Sequence, residues 1–474
     1  MLLDYPKNYQ TFAEVMDGNV FGRYKLITNV KKITSENIIA ELQKALSVHE
    51  INRRAIVYLD RYYRGDQPIL YRQKEVRAEI NNKVVENHAF EIVESKVADL
   101  YGEPVQYVLR SSDDDKKSQQ IIELNTKMDA ENKASLDVER GRWASVCGTS
   151  YYYVGRETEY DDYDETPFYL VCENPADCFV VYYADNDRPA FSCQIRENED
   201  GNEYYVCFTN TTRYEVIGGE IADKSINGMG YIPLIEYPNN ERRLSDVEIT
   251  ITMTDEINKM QSDRMNGIEQ FVQALMLFKN CEIDESTFLR MCKLGAINIK
   301  TTTSGYDADV KQLSGQLDQA QTQTAKDDVY NNLLIVQGKP SRQENSGGDT
   351  GQAVVLRNGY YDEDKRAELR IPVFKKSERQ LLKVILNILR IYNNGSFDLK
   401  VSDIEIKPKR SKLENMMVKA QVLQILHQIG VDDGVAMKLV NLFSDVQEAY
   451  ALSKDTMKAQ FESAIGITEN ADSI

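Results

Sequence analysis

Apolar side chains in the first 150 residues recur at spacings of three and four. Ser35–His49 and Ile51–Tyr63 read as helices, the second with Ile56, Leu59 and Tyr63 on one side and with Gly65 and Pro68 as stops. Asn87–Tyr101 repeats the pattern through Phe90, Val93, Val97 and Leu100 and closes at Gly102 and Pro104. Val105–Leu109 is strand-like, and Ala134–Cys147 is a helix ending at Gly148. From about 150 to 245 the period shortens to two. Ser150–Val154, Phe168–Cys172, Cys178–Tyr183, Phe191–Arg196, Tyr204–Thr209 and Arg213–Ile217 are separated by Asn-Pro, Asp-Asn, Asp-Gly-Asn and Gly-Gly turns, which predicts an antiparallel sheet.

After Pro238 the helical period returns. Ser245-Asp246-Val247-Glu248 is a capping box, and the helix it opens is predicted to reach Asn280 on a stripe of Ile257, Met260, Ile268, Phe271, Leu275 and Phe278. Val247, Ile249 and Ile251 alternate with polar residues, so the first turns also fit a strand. Cys281–Ser314 reads as a small strand, helix, strand insert, with Asn280–Ile283 extended, a short helix at Ser286–Leu294 stopped by Gly295, a strand at Ala296–Lys300, and Val310–Leu313 after a Thr-rich turn. A returning helix, Gly315–Gln337, carries Leu317, Ala320, Thr324, Tyr330, Leu333 and Leu334 on one side and stops at Gly338 and Pro340. The glycine-rich polar stretch Ser341–Gly351 reads as a loop. Gln352–Asn394 is then a long helix, halted by Gly395, in which Pro372 predicts a kink. Strand Phe397–Ile406, the basic linker Lys407–Lys412, amphipathic helices Leu413–Ile429 and Gly434–Leu452, and a polar acidic end complete the chain. The fold class is α+β.

Composition narrows what these elements do. At roughly 150 residues per domain, 474 residues suggest about three structural units. With 57 Lys+Arg against 75 Asp+Glu the net charge is −18, which argues against an open basic groove for nucleic acid. The 7 cysteines lack any CxxC pair and only 3 histidines accompany them, so no metal site is expected and the thiols read as small hydrophobes of a reducing compartment. Leu381–Tyr392, the most apolar run, is broken by Lys383, Asn387 and Arg390, and the N-terminus has no signal-peptide pattern; the expectation is a soluble protein of the cytoplasm in which it is made.

Catalytic signatures are missing from the sequence: there is no GxxxxGK[ST], HExxH, GxSxG or GxGxxG after a strand. Glu157, Glu159, Asp161, Asp162, Asp164 and Glu165 have the composition of a magnesium site, yet they fall between two strands with no lysine or histidine among them, as a solvated turn would. His88 has no partner nearby in sequence and reads as structural, as does His427 in its Leu/Ile helix. The tyrosines of the β-rich stretch, Tyr151, Tyr152, Tyr153, Tyr182, Tyr183, Tyr204 and Tyr205 among them, lack interleaved cations and read as half-buried strand residues. No catalytic residue, cofactor or metal is expected. The long apolar stripes instead predict a homo-oligomer.

The order of parts resembles a known family, the portal proteins of long-tailed phages that infect Gram-positive bacteria. Local sequences agree: Tyr62-Tyr63-Arg64-Gly65-Asp66-Gln67-Pro68-Ile69, Asn81-Asn82-Lys83 and Tyr101-Gly102-Glu103-Pro104-Val105 look like the family's N-terminal wing. Thr350-Gly351-Gln352-Ala353-Val354-Val355-Leu356-Arg357 resembles its helix start, with Thr350 in place of the usual serine. The resemblance covers about residues 50–410. It implies an N-terminal arm (1–50), a mixed wing (51–244), a two-helix stem (245–280 and 315–337), a clip (281–314), a tunnel loop (338–351), a long kinked wing helix (352–395), a strand and basic linker (396–412) and a helical crown with polar tail (413–474).

The resemblance further implies a ring of twelve copies at one capsid vertex of the virion, assembled in the host cytoplasm. Double-stranded DNA passes through it, driven by a terminase, and its other partners are the major capsid and scaffolding proteins and a head-completion adaptor, with no membrane. Lys339, Arg342, Gln343, Glu344 and Asn345 would then face DNA, and Ile257, Met260, Ile268, Phe271, Leu275, Leu317, Tyr330 and Leu333 would make stem contacts between subunits. Phe288, Leu289, Ile297 and Ile299 would belong to the clip, and Pro372 would mark the helix kink. Another ring-forming or scaffolding morphogenesis protein is the alternative reading, and a metal-dependent nuclease is the enzymatic one.

Overall fold

The computed structural model describes residues 10–75, 77–110, 115–157, 159, 165–272, 275–279, 284–294, 309–313, 319–340, 360–408, 416–440 and 453. In chain order the elements begin with α1 (Phe12–Met16), β1 (Leu26–Thr28), α2 (Ile38–Tyr63), α3 (His88–Tyr101), β2 (Gln106–Leu109), α4 (Asp115–Ala130) and α5 (Lys133–Cys147). The strands β3 (Thr149–Arg156), β4 (Phe168–Glu173), β5 (Cys178–Tyr183), β6 (Pro189–Glu197), β7 (Glu203–Phe208), β8 (Thr212–Ile217), β9 (Glu220–Ile226) and β10 (Leu234–Pro238) follow. Next come α6 (Ile251–Val272), β11 (Leu275–Lys279), α7 (Glu285–Leu294), β12 (Asp309–Leu313) and α8 (Gln319–Gln337). The chain continues with α9 (Tyr360–Tyr392), β13 (Ile404–Lys407), α10 (Met416–Gln428) and α11 (Asp433–Val440). The mixed helix and sheet content agrees with the α+β expectation. The contacts divide the chain into two compact units, one of residues 1–14, 61–89 and 250–361, the other of residues 15–60, 90–249 and 362–474.

The larger unit is built on two main sheets and also holds the two-stranded pair of β2 and β13. Six strands run in the order β1-β5-β6-β7-β8-β9, antiparallel except for the parallel pair β1–β5, and three form the antiparallel order β10-β3-β4. One face of the larger sheet packs under Ile38, Leu42 and Ala45 of α2; its other face meets the smaller sheet through Val180, Tyr182, Tyr151 and Leu234. Two predicted helices are in fact one. No glycine or proline interrupts residues 35–63, so α2 runs unbroken for 26 residues. Gly148 ends α5 in the left-handed region at φ +84, its amide bonded to the Ala144 carbonyl; an added Cβ would lie 2.0 Å from the Arg243 carbonyl oxygen.

The long helix α9 is the centre of the largest core. Leu381, Leu382, Val384, Ile385, Leu386, Ile388 and Leu389 are all buried, leaving only the narrow polar stripe of Lys383, Asn387 and Arg390, so the helix requires cover on several faces. Pro372 lies inside this helix, where it removes one backbone donor. The expected strand Phe397–Ile406 is shorter than its hydrophobicity suggests. Phe397 and Leu399 are buried as irregular chain, and only β13 pairs, antiparallel with β2.

The predicted helix Ser245–Asn280 is corrected at both ends. Residues 246–249 form a turn held by the capping box, in which Ser245 Oγ accepts the Val247 amide (2.9 Å) and Glu248 Oε1 accepts the Ser245 amide (2.6 Å). The helix α6 then stops at Val272. The apolar run Leu275–Lys279 is a strand, paired from Leu275 opposite Leu313 to Lys279 opposite Asp309, so Leu275 belongs to a β-ladder rather than to a helical stripe. The helix predicted at 286–294 is present as α7. Predicted strand Ala296–Lys300, the loop Ser341–Gly351 and the linker residues 409–412 lie outside the described residues.

Candidate functional site: the paired helices α6 and α8

The side of α6 that binds the rest of its unit is polar. Asp255, Asn258, Ser262, Asn266 and Glu269 recur at three- and four-residue spacing, and the last four meet the segment 67–87, in which the described residues from 72 on form no helix or strand. Such a segment must place its backbone amides somewhere. Asn258 Oδ1 accepts the Glu86 amide (2.7 Å), Ser262 Oγ accepts that of Val84 (2.9 Å), and Asn266 Oδ1 accepts that of Asn82 (2.7 Å). Side chains extend the ladder: Asn82 Nδ2 donates to Glu269 (2.8 Å), Asn258 Nδ2 donates to Gln67 Oε1, and Arg72 pairs with Asp263 (2.8 Å). At the start of the helix the Tyr62 hydroxyl donates to Asp255 Oδ1 (2.8 Å). Burial pushes the Asp255 carboxyl up to about 6, against the pull of that bond and with help from neighbouring Glu256.

The other partner of α6 is α8. Lys326 is the one basic residue in this helix, and its ammonium is 2.8 Å from Glu86 Oε1 and 3.4 Å from Gln261 Oε1. Gln337 Nε2 donates to Thr250 Oγ1 (2.8 Å), and the His88 ring lies 4.6 Å from that of Tyr330 and 3.3 Å from Glu86, a packing role. The helix ends in a left-handed cap: Gly338 has φ +69, and the Lys339 amide donates to the Leu334 carbonyl (2.9 Å), which turns the chain at Lys339 and Pro340.

The expected stem-contact residues separate. Ile257 and Leu333 are 0% exposed, so their side chains fill this chain's own core and are not available to a neighbouring subunit. Ile268 is 46% exposed and Met260 and Tyr330 are half-buried. Phe271 stands in the last turn of α6. On α7, Phe288 is half-buried and Leu289 is exposed. Leu317, Ile297, Ile299, Arg342, Gln343, Glu344 and Asn345 lie outside the described residues. The polar ladder on α6 was missed. Its signal was available, since Asn258, Ser262 and Asn266 repeat every four residues beside the apolar stripe.

In the larger unit two buried ionic clusters fasten α9. Asp246 accepts Arg370 Nη2 (2.6 Å), Lys96 Nζ (2.7 Å) and the Ser145 hydroxyl (2.7 Å). Burial would raise its pKa, but Arg370 and Lys96 outweigh that and hold the carboxyl far below the ordinary range. Glu378 accepts the Tyr237 hydroxyl (2.7 Å) and that of Tyr107, and pairs with Lys133 (3.1 Å), which also binds Asp137 (2.7 Å). Beside them the Arg140 guanidinium is caged by Tyr237 at 4.4 Å, Tyr101 at 4.6 Å and Phe374 at 5.2 Å. Among the described residues no group of His, Cys, Asp and Glu could hold a metal ion, and no helix is long and apolar enough to cross a membrane.

The family model for phage portal proteins of the SPP1 Gp6-like type matches residues 43–461, which takes in parts of both units and runs from within α2 past α11. The chain belongs to this portal family. The portal protein of Bacillus phage SPP1 is 22% identical over 452 residues, covering 87% of this portal chain and 84% of that protein. Among solved structures, a chain from the neck of a native GTA particle, computed with C12 symmetry, aligns at a TM-score of 0.40 and 13% identity over 75% of this portal chain and 89% of its own.

Proposed function

We propose that this portal protein forms a ring at one capsid vertex, through which a terminase motor packages double-stranded DNA and through which the DNA later leaves. The observation that carries the reading is the family match across residues 43–461. The subunit divides into a wing at 51–244, completed by the long helix 352–395, a stem of α6 and α8, a clip at 281–314, a tunnel loop at 338–351 and a crown beyond 412. The ring is a homo-oligomer of twelve in the virion. It is built in the host cytoplasm with capsid and scaffolding proteins and later carries the head-completion adaptor and tail. ATP hydrolysis belongs to the motor, and this chain acts as channel and platform.

The charge pattern supports a passage that does not hold its cargo. Each Lys or Arg bound to phosphate releases counterions and adds affinity. A chain at −18 whose α8 has a single lysine, already engaged by Glu86, offers DNA few such contacts. Electron microscopy of the purified protein tests the reading directly: a wide ring with a central pore is expected, and monomers or dimers under all conditions would overturn it. Deleting residues 342–348 tests the tunnel loop. Rings should still form and capsids should remain empty, whereas full DNA packaging by the deletion variant would exclude a role for the loop.

A further inference from the structure

We propose that Cys193 and Cys207 are a latent disulfide site, a cross-strand dithiol that a small-molecule disulfide oxidises to a covalent link between β6 and β7. The two residues are direct register partners, flanked by the pairs Ser192–Phe208 and Gln194–Val206. Partners in register share a face, and both side chains are 0% exposed within one apolar cluster with Phe179, Phe191 and Tyr214. Their thiols are in mutual hydrogen-bond contact.

The ladder geometry decides whether a bond fits. At the mouth of the hairpin the Asn198 amide donates to the Asn202 carbonyl (3.0 Å), which makes that pair hydrogen-bonded. Bonded and non-bonded pairs alternate along an antiparallel ladder, so 196/204 and 194/206 are bonded and 193/207 is not. Both outer neighbours agree. The Ile195 amide donates to Asp177 beyond β5 (2.8 Å), so Cys193, two residues away, also turns its backbone toward β5. The Thr209 amide donates to Thr212 (2.8 Å), so Cys207 turns toward β8. At a non-bonded position Cα atoms approach to about 4.5 Å, inside the range of about 4.4–6.8 Å that a disulfide spans. Among the described residues the other buried thiols are placed elsewhere: Cys178 packs on the opposite face with Tyr151, Tyr182 and Leu234, and Cys147 Sγ faces the Ile56 carbonyl at 3.8 Å.

The chemistry balances with oxidised glutathione as the oxidant. A thiolate of the pair attacks one glutathione sulfur, forming a mixed disulfide and releasing one glutathione thiol. The second cysteine attacks the protein sulfur of that mixed disulfide and releases the other. Two protein thiols lose two electrons and two protons, and one glutathione disulfide becomes two thiols. Burial holds the Cys193 thiol well above its ordinary range, so the pair stays reduced while the sheet is closed and reacts through transient opening of β7. A reducing cytoplasm keeps it open, and an oxidising medium closes it. Only the occasion, a particle that leaves the cell, rests on the portal reading; the geometry does not.

The test uses the full chain, held with oxidised glutathione at stepped temperatures below unfolding, then denatured, alkylated and cut with trypsin. Arg196 lies between the two cysteines, so a link joins two peptides whose combined mass has lost two hydrogens. The expected result is that joined species, with a midpoint of thermal unfolding higher by on the order of 5 °C and reversible by dithiothreitol. Cys193→Ala, which keeps an apolar group in the core, should abolish both the link and the shift. Complete alkylation of both thiols after oxidation, a stable glutathione adduct that never resolves, or a link from either cysteine to a third would overturn the proposal.

Discussion

Asp255 shows how one residue can oppose the fold that holds it. Its folded pKa is raised to about 6 from 3.8, so the folded state binds a proton more tightly than the unfolded state does. The sign follows from linkage: stability falls as pH rises from about 4 to about 6, and the penalty is complete above that. A shift of two units corresponds to roughly 3 kcal/mol at most. Asp255→Asn keeps an acceptor for the Tyr62 hydroxyl and removes the charge, so chemical denaturation at pH 7.5 should find the variant more stable by about 1–3 kcal/mol. The difference should vanish near pH 4, and a gain that persists there would refute the assignment. Asp246 has the opposite sign. Its depressed pKa contributes stability above about pH 4 that is lost as pH falls, so Asp246→Asn should destabilise the chain at pH 7 by about 3 kcal/mol or more, because the Lys96 and Arg370 charges lose the Asp246 carboxylate. A variant unfolding within 1 °C of the parent at pH 7 would contradict this. Such residues are nearly illegible beforehand. The Ser245–Glu248 box and the Gly338 stop use partners within a few positions and could be read from the sequence, whereas Asp246 meets Lys96 and Arg370 only after folding.

At the scale of elements, the apolar period located α3, α5, β5 and the core of α9, because in each the buried positions recur at the element's own period. It failed where two solutions share one pattern. Leu275–Lys279 is apolar enough to extend a helix, and only its pairing with residues 309–313 makes it a strand. It failed also where the informative face is polar. The stripe Asn258, Ser262 and Asn266 binds three alternate amides, those of Glu86, Val84 and Asn82, in an otherwise irregular segment, and that segment carries trypsin sites at Arg72, Lys74, Arg77 and Lys83. Asn258→Leu leaves the Glu86 amide and Gln67 without their partner, at a cost of about 1–3 kcal/mol. Limited proteolysis should therefore cut the variant within 67–87 at least tenfold faster than the parent, while sites in β5–β8 keep their rate. Equal rates in both regions would show that the ladder does not hold the segment.

At the scale of the whole molecule, the net charge of −18 is repeated in every copy a ring brings together. Like charges at low ionic strength oppose closure, while buried apolar and hydrogen-bonded contacts between subunits are nearly independent of salt. The screening length falls from about 30 Å at 0.01 M to about 10 Å at 0.1 M. Raising sodium chloride from about 10 to about 200 mM should therefore shift the mass distribution from small species toward rings, with most of the change below about 100 mM, where the screening length shortens fastest. Potassium glutamate at matched ionic strength should give the same curve if screening is the cause, and a different one if a specific ion bridges subunits. Rings that fall apart over this range would mean that intersubunit ion pairs dominate assembly. The acidic surface would then act as the adhesive between subunits and not as the force that keeps a channel wall from gripping DNA.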